Sequence, residues 1–176
     1  GAYDGWQGWK HNVHHNLFIG PGGAIVTTGS RGRYTNNTII RASNAAFWFY
    51  NDGHRNNSIA NNIIVESSNG IHTRDGNVFS HNLTHSSKDT FVGDDPVKGD
   101  PQFIAPEENN FRLKPNSPAK NAGRLVDSSN EERPTLGAYD GNEKWAPPKP
   151  LPKYVPKALM KERQELKQLE MRTLIP

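Results

Sequence analysis

The chain contains no cysteine. That absence removes a disulfide framework, thiol catalysis and thiolate metal ligation together. Apolar residues are also scarce, at 33% of 176 residues, and the mean hydropathy is −0.82. No apolar run approaches the ~18 residues of a membrane-crossing helix, so no part of the chain is expected to span a membrane. Before residue 150 no stretch keeps a 3.6-residue apolar period over helical length. There is no glycine loop of the nucleotide-binding kind and no serine nucleophile elbow. No signal peptide is present and the first residue is Gly1, so a removed leader or a larger parent protein is expected. A chain this polar would ordinarily stay disordered for want of apolar surface.

What it has instead is a repeat. His15-Asn16-Leu17-Phe18-Ile19, Asn36-Asn37-Thr38-Ile39-Ile40 and Asn61-Asn62-Ile63-Ile64-Val65 share one template, with a weaker copy in His81-Asn82-Leu83-Thr84. The anchors Asn16, Asn37, Asn62 and Asn82 recur about every 20 to 25 residues, a solenoid period. Each copy is too short to bury its own apolar face, so copies must stack. A second set follows the first at nearly constant phase: Ile25, Phe47 and Ile71 come roughly nine or ten residues after their anchors. Each repeat should therefore hold at least two strands separated by Gly, Asn and Ser turns. Inward Ile, Val and Phe would form a dry column, and each Asn could bond to the Asn above and below. The expected class is all-β, a solenoid.

Three zones are expected: stacked coils over 1–104, a terminal segment over 105–143, and a tail over 144–176. The tail opens with a proline-rich strap, Ala146 to Pro156, and continues as a short helix from Lys157 to Arg172 with an incomplete apolar stripe. Charge divides at the same boundary. Residues 1–143 hold 13 Lys and Arg against 15 Asp and Glu, a net −2, whereas 144–176 hold 8 against 3, a net +5. The overall charge of +3 thus belongs to the tail, read as a solvated strap rather than a nucleic-acid arm.

The terminal segment carries a more specific signal. Asp100-Pro101-Gln102-Phe103 is followed by Phe111-Arg112-Leu113, then Ser117-Pro118-Ala119-Lys120-Asn121-Ala122-Gly123, then Gly137-Ala138-Tyr139-Asp140. In this order the motifs resemble the closing segment of right-handed parallel β-helix proteins of the pectate-lyase-like superfamily. The resemblance implies a right-handed parallel β-helix, of which this chain would be the C-terminal part. It implies an extracellular, polysaccharide-active protein, secreted or on the cell surface. Lyases of that group commonly pair a Lys or Arg base with Ca²⁺ or another charge neutraliser. No compact acidic cage that would hold Ca²⁺ stands in residues 1–91, so Ca²⁺ rests on the resemblance alone.

Strand alternation selects the candidate site. With Ile25, Phe47 and Ile71 inward, Val26, Trp48 and His72 face outward, as do Thr28, Tyr50 and Arg74. Trp48, Tyr50, His54 and Arg55 would bind substrate, because aromatic faces stack on sugar rings and Arg forks match carboxylates or sulfates. Asp52, His72, Arg74 and Asp75 would supply general acid–base chemistry, with Asp52 and Asp75 the obvious carboxylate pair for a hydrolase. The same residues have plain structural roles open to them: Asp52-Gly53 and Asp75-Gly76 are good turns, and Trp48 could pack under the tail. His11, His14 and His15 suit a metal less well than a surface turn, and Asp94, Asp95 and Asp100 also suit turns. No metal site is assigned. Asn36, Asn56 and Asn82 fit the N-x-S/T acceptor pattern, and membership of the asparagine stack would make them unavailable.

Three function classes remain open, a carbohydrate-binding module without chemistry ranking third behind two others. One is a lyase or glycoside hydrolase acting on an extended polysaccharide, with Arg pointing to an anionic one. The other is a non-catalytic β-helix subunit of a surface or filamentous assembly. Residues 1–10 contain no amphipathic helix to cap the first coil, so a preceding β-helix segment or a partner chain is expected there.

Overall fold

A computed structural model describes residues 3–5, 10–20, 22–27, 29–49, 55–69, 71–72, 76–88, 93–125 and 133–139, with backbone alone at 3–5 and 71–72. The tail lies outside the described residues. The described chain is all-β, and its only helical element is one 3-10 turn, Pro106–Glu108.

Three parallel sheets of four strands carry the fold. The first joins β1 (Tyr3–Gly5), β4 (Gly23–Thr27), β7 (Ala45–Phe49) and β10 (Ile71–His72). The second joins β2 (Asn12–His14), β5 (Arg33–Thr35), β8 (Ser58–Ala60) and β11 (Val78–Ser80). The third joins β3 (Leu17–Ile19), β6 (Thr38–Ile40), β9 (Ile63–Val65) and β12 (Leu83–His85). Every third strand therefore lies beside its predecessor in the same sheet, and each repeat supplies one strand to each sheet. The sequence reading anticipated at least two strands per repeat; the structure has three. The second sheet was missed because its strands are three residues long with a single large inward residue, as in Arg33-Tyr34-Thr35.

A five-residue unit builds the second and third sheets. Positive φ falls at Lys10, His15 and Gly20, then at Arg31, Asn36 and Arg41, then at Asn56, Asn61 and Glu66, then at Gly76, His81 and Ser86. Within each trio these residues are five apart. Each left-handed residue turns the chain between strands. For a residue other than Gly, Asn or Asp that conformation costs about 1–2 kcal/mol. Backbone bonds across repeats offset it: Lys10 N–H donates to Ser30 O, His15 N–H to Thr35 O and Arg41 N–H to Val65 O, at 3.1, 3.3 and 2.9 Å.

The residue after each left-handed turn carries a polar ladder. Asn16 donates to Asn37 Oδ1 from its backbone N–H at 3.1 Å and its Nδ2 at 3.0 Å. Asn37 does the same to Asn62 at 2.9 and 3.0 Å, and Asn62 to Asn82 at 3.0 and 2.9 Å. The expected asparagine stack is present. Two further ladders occupy the other turns. Gly32 N–H donates to Asn57 Oδ1 at 2.7 Å and Asn57 N–H to Asn77 Oδ1 at 3.1 Å. Ala42 N–H donates to Ser67 Oγ at 3.2 Å and Ser67 N–H to Ser87 Oγ at 3.1 Å. Buried polar groups are thereby satisfied by one another along the repeat direction.

Two apolar clusters lie on the two sides of the third sheet. The inner cluster holds Val13, Phe18, Ile25, Tyr34, Ile39, Phe47, Phe49, Ile59, Ile64 and Phe79. Phe47 and Phe49 stack with centroids 6.4 Å apart, and Tyr34 meets both edge-on. The outer cluster joins Ile40, Ile63, Val65 and Leu83 to Phe111, Ala119, Leu136, Ala138 and Tyr139 of the segment after the repeats. That second cover explains why Thr38-Ile39-Ile40 and Ile63-Ile64-Val65 are buried at every position. A parallel sheet covered on both faces reads as a continuous apolar run rather than an alternation.

The covering segment opens with an antiparallel pair, β13 (Phe103–Ala105) and β14 (Asn110–Leu113). It is then fastened to the turns of the third sheet. Asn61 Nδ2 donates to Arg124 O and its Oδ1 accepts from Arg124 N–H, at 2.9 and 2.7 Å. Asn36 Nδ2 donates to Thr135 O at 3.0 Å. Gly137, at φ +87, lies so close that a Cβ there would meet Thr38 Oγ1 at 2.7 Å and Ile63 Cδ1 at 2.8 Å. Only glycine fits both the torsion and the approach.

Candidate functional site

The first sheet presents the face that strand alternation selected. Ile25 pairs Phe47 and Phe47 pairs Ile71 in register, while Asp4, Val26, Trp48 and His72 form the next column. Ile25, Phe47 and Phe49 are buried, whereas Val26 and Trp48 are half-buried between them. Trp48 and His72 are thus one strand apart at equivalent positions, about 4.8 Å in backbone terms. Of the other residues proposed for this site, Tyr50, Asp52, His54, Arg74 and Asp75 lie outside the described residues, as does the side chain of His72. Thr28 lies outside them too.

Arg55 is the remaining site residue, and the structure gives it different company. It sits at the turn that opens the second sheet. Its N–H donates to Ser30 Oγ at 3.3 Å, and its carbonyl accepts Arg31 N–H at 3.2 Å. The stem of Arg55 lies against Gly76 in the next repeat, where a Cβ would meet its Cγ at 3.2 Å. On the other side Lys10 N–H donates to Ser30 O at 3.1 Å, so Lys10 occupies the equivalent turn one repeat earlier. Along β2, β5, β8 and β11 the register aligns Asn12, Arg33, Ser58 and Val78 on the outer face.

Lys10, Arg31, Arg33 and Arg55 are all exposed and span three neighbouring repeats on one edge of the second sheet. No Asp or Glu occurs in 10–14, 31–35, 55–60 or 76–80, the segments that form these turns and strands. Cations gathered along one edge raise the affinity of the surface for an anion. Guanidinium forks on a common face can grip carboxylate or sulfate groups two-pronged. Sequence reasoning found Arg55 and missed Lys10, Arg31 and Arg33. The signal was available: Lys10 and Arg31 stand 21 residues apart, the same offset as Asn16 and Asn37.

The remaining polar candidates resolve into local roles. His14 and His15 approach Nδ1 to Nδ1 at 2.8 Å, with rings edge to face at 5.1 Å. Asp100 Oδ1 accepts Gln102 N–H at 2.7 Å, an Asx turn of the kind expected before proline. Asp95 lies 3.9 Å from His81 Nε2 with its carboxylate in solvent. Among the described residues no group of three or more His, Asp or Glu is placed to hold a metal ion. Of the glycosylation-pattern asparagines, Asn82 belongs to the ladder, Asn36 is buried against Thr135, and Asn56 stands exposed off the ladder.

Among the described residues a clear perturbation of an ionisable group lies away from this face. Burial pushes the Tyr139 phenol up, against the pull of the Arg112 guanidinium. The Arg112 Cζ lies 5.1 Å from the Tyr139 ring centroid. No family model, curated protein or solved structure matches the chain.

Proposed function

We propose that this chain is the C-terminal portion of a right-handed parallel β-helix protein that binds an extended anionic polysaccharide along its outer face. The strand order supports the β-helix reading: each repeat adds one parallel strand to each of three sheets. The basic edge carries the ligand half of the proposal. Lys10, then Arg31 and Arg33, then Arg55 stand on three successive repeats, whose paired strands lie at roughly the 4.8 Å spacing. A polymer with acidic groups along its length suits such a row better than a compact anion does. Trp48, on the adjoining sheet, supplies an aromatic surface for sugar rings.

On this reading the enzyme is a lyase or glycoside hydrolase, secreted or at the cell surface, with Asp52, His72, Arg74 and Asp75 as its acid–base candidates. Titration calorimetry with polygalacturonate, against an uncharged galactan, tests the binding half. Saturable binding of the charged polymer alone is expected, and equal or absent binding of both rejects it. Product analysis of the Asp52→Asn, Asp75→Asn double variant tests the hydrolase version, which cannot survive undiminished turnover.

A further inference from the structure

Three asparagines fit the acceptor pattern for an N-linked glycan: Asn36-Asn37-Thr38, Asn56-Asn57-Ser58 and Asn82-Leu83-Thr84. The fold gives them three different settings. Asn36 stands at the turn between the second and third sheets, where the terminal segment lies over the repeats. It is buried, and its Nδ2 donates to Thr135 O at 3.0 Å. Asn82 is a ladder residue, 2% exposed, with Nδ2 donating to Ile59 O at 2.9 Å and Oδ1 accepting twice from Asn62. A glycan is bulky, and on either carboxamide it would occupy space that the fold already fills.

Asn56 stands at a turn of the same torsion in another column. Lys10, Arg31, Asn56 and Gly76 share a positive φ at the entry to the second sheet, and all four are exposed. Main-chain bonds hold this turn: Asn56 N–H donates to Gly76 O at 2.7 Å, and Ser58 N–H to Gly32 O at 2.9 Å. The polar ladder here belongs to Asn57, whose Nδ2 donates to Gly29 O and Asn77 Oδ1 at 3.1 and 2.9 Å. Among the described residues the Asn56 carboxamide has no hydrogen-bond partner. Substituting its nitrogen therefore takes no bond from the fold.

We propose that Asn56 is the acceptor for an N-linked glycan, donated by a lipid-diphosphate-linked oligosaccharide, and that Asn36 and Asn82 of the folded chain carry none. In the transfer, Asn56 Nδ2 bonds to the anomeric carbon of the sugar, and the bond from that carbon to the diphosphate oxygen breaks. The lipid diphosphate leaves with the electron pair, and the amide gives up one proton. Ser58, half-buried at the start of β8, supplies the hydroxyl that the acceptor pattern requires two residues on. Because β8 fixes Ser58 in the folded chain, transfer comes before the repeats stack, and folding then sorts the products. A glycan at Asn56 is carried outward, whereas one at Asn36 or Asn82 blocks stacking.

The proposal rests on the secreted location in the proposed function and is independent of the polysaccharide half. A glycan at Asn56 stands beside Arg31 and Arg55 on the basic edge, so polymer binding is to be measured on unmodified chain.

The full chain is placed behind a cleavable secretion leader in a eukaryotic host, and glycopeptides are mapped by mass spectrometry in secreted and retained protein. The leader supplies the route, so failure at Asn56 is a failure of the acceptor and not of the location. A single mass step at Asn56 is expected in the secreted chain, abolished by amidase release that converts Asn56 to Asp. Ser58→Ala should lose the step entirely and Ser58→Thr should keep it, and both variants leave the turn residue itself unchanged. Asn56 unmodified in both fractions overturns the proposal. So does a glycan on Asn36 or Asn82 of secreted protein that melts cooperatively, and so does a releasable step that survives Ser58→Ala.

Discussion

Asn62 Oδ1 accepts two hydrogen bonds from one residue, Asn37, through its backbone N–H and its carboxamide. Asn62 also donates to Asn82 Oδ1, Tyr34 O and Ala60 O, with none of its surface exposed. Each ladder residue is thus an acceptor for one neighbour and a donor for the other, which binds repeats whose apolar strands are only three residues long.

Asn62→Ala is therefore expected to be far more damaging than its size suggests. It orphans the buried N–H of Asn37, leaves its Nδ2 with Val13 O alone, and leaves Tyr34 O and Asn82 Oδ1 short of donors. At about 1–3 kcal/mol for each unsatisfied buried group, a loss of about 3 kcal/mol or more is expected. Asn16→Ala, at the half-buried end of the same ladder, should cost about 1 kcal/mol. Urea unfolding of the two variants makes the comparison. Equal costs would mean that the ladder accompanies the strand pairing without stabilising it.

Gly137→Ala tests how the covering segment is attached. The substitution meets a positive φ and two contacts under 3 Å, to Thr38 Oγ1 and Ile63 Cδ1. It also threatens the bonds from Gly137 N–H to Asn61 O and from Ala138 N–H to Thr38 Oγ1, both 2.9 Å. Strain of this kind typically costs about 1–3 kcal/mol. Gly22→Ala is the matched control, since a Cβ there meets nothing within 4 Å. A thermal melt in which both variants behave alike would show that the segment can lift from the third sheet without penalty.

The contrast between ladder and turn explains what the sequence disclosed. Asparagine is needed chemically at 16, 37, 62 and 82, because a side chain that both donates and accepts must recur there. The period was legible for that reason. The left-handed turns are held by backbone bonds across repeats, so the side chain is unconstrained: one column runs Lys10, Arg31, Asn56, Gly76. A torsion common to four unrelated residue types leaves no pattern to read. The second sheet disappeared with it. The apolar runs at Ile39-Ile40 and Ile63-Ile64-Val65 were visible because the terminal segment buries their outer side, and that segment was itself marked by Ser117, Ala119, Gly123 and Gly137. The basic edge was only a quarter legible. Arg55 stood out beside a turn, but Lys10, Arg31 and Arg33 join it through a register across repeats of unequal length.

Alkaline stability should depend on Tyr139. Its folded-state pKa is raised above the ordinary 10.0, with burial the largest cause. The unfolded chain therefore releases the phenol proton first as pH rises. Stability from this group is fully present below the unfolded value and falls as pH climbs from about 10 toward the raised folded value. Tyr139→Phe removes the ionisation. Denaturant midpoints measured from pH 8 to pH 11 should fall less steeply for this variant above pH 10 than for the parent. Parallel curves would show that the phenol ionises equally in both states.

The basic edge makes the last prediction, and salt provides its control. Arg33 projects from β5 between Asn12 and Ser58, and Arg55 flanks it one repeat on. Both are exposed, so replacing either by Ala should change folding stability by no more than about 0.5 kcal/mol. If they contact the acidic groups of a polymer, each removes a charge-assisted bond worth about 1.5 kcal/mol, roughly tenfold in Kd. Binding of polygalacturonate by the parent should also weaken steeply between 0.05 and 0.5 M salt, because the screening length falls from about 14 Å to about 4 Å across that range. The Arg33→Ala, Arg55→Ala double variant should show both the weaker binding and the shallower salt dependence. A variant with reduced affinity but the parent's full salt slope would place the polymer elsewhere, with the two arginines acting only on the shape of the turn.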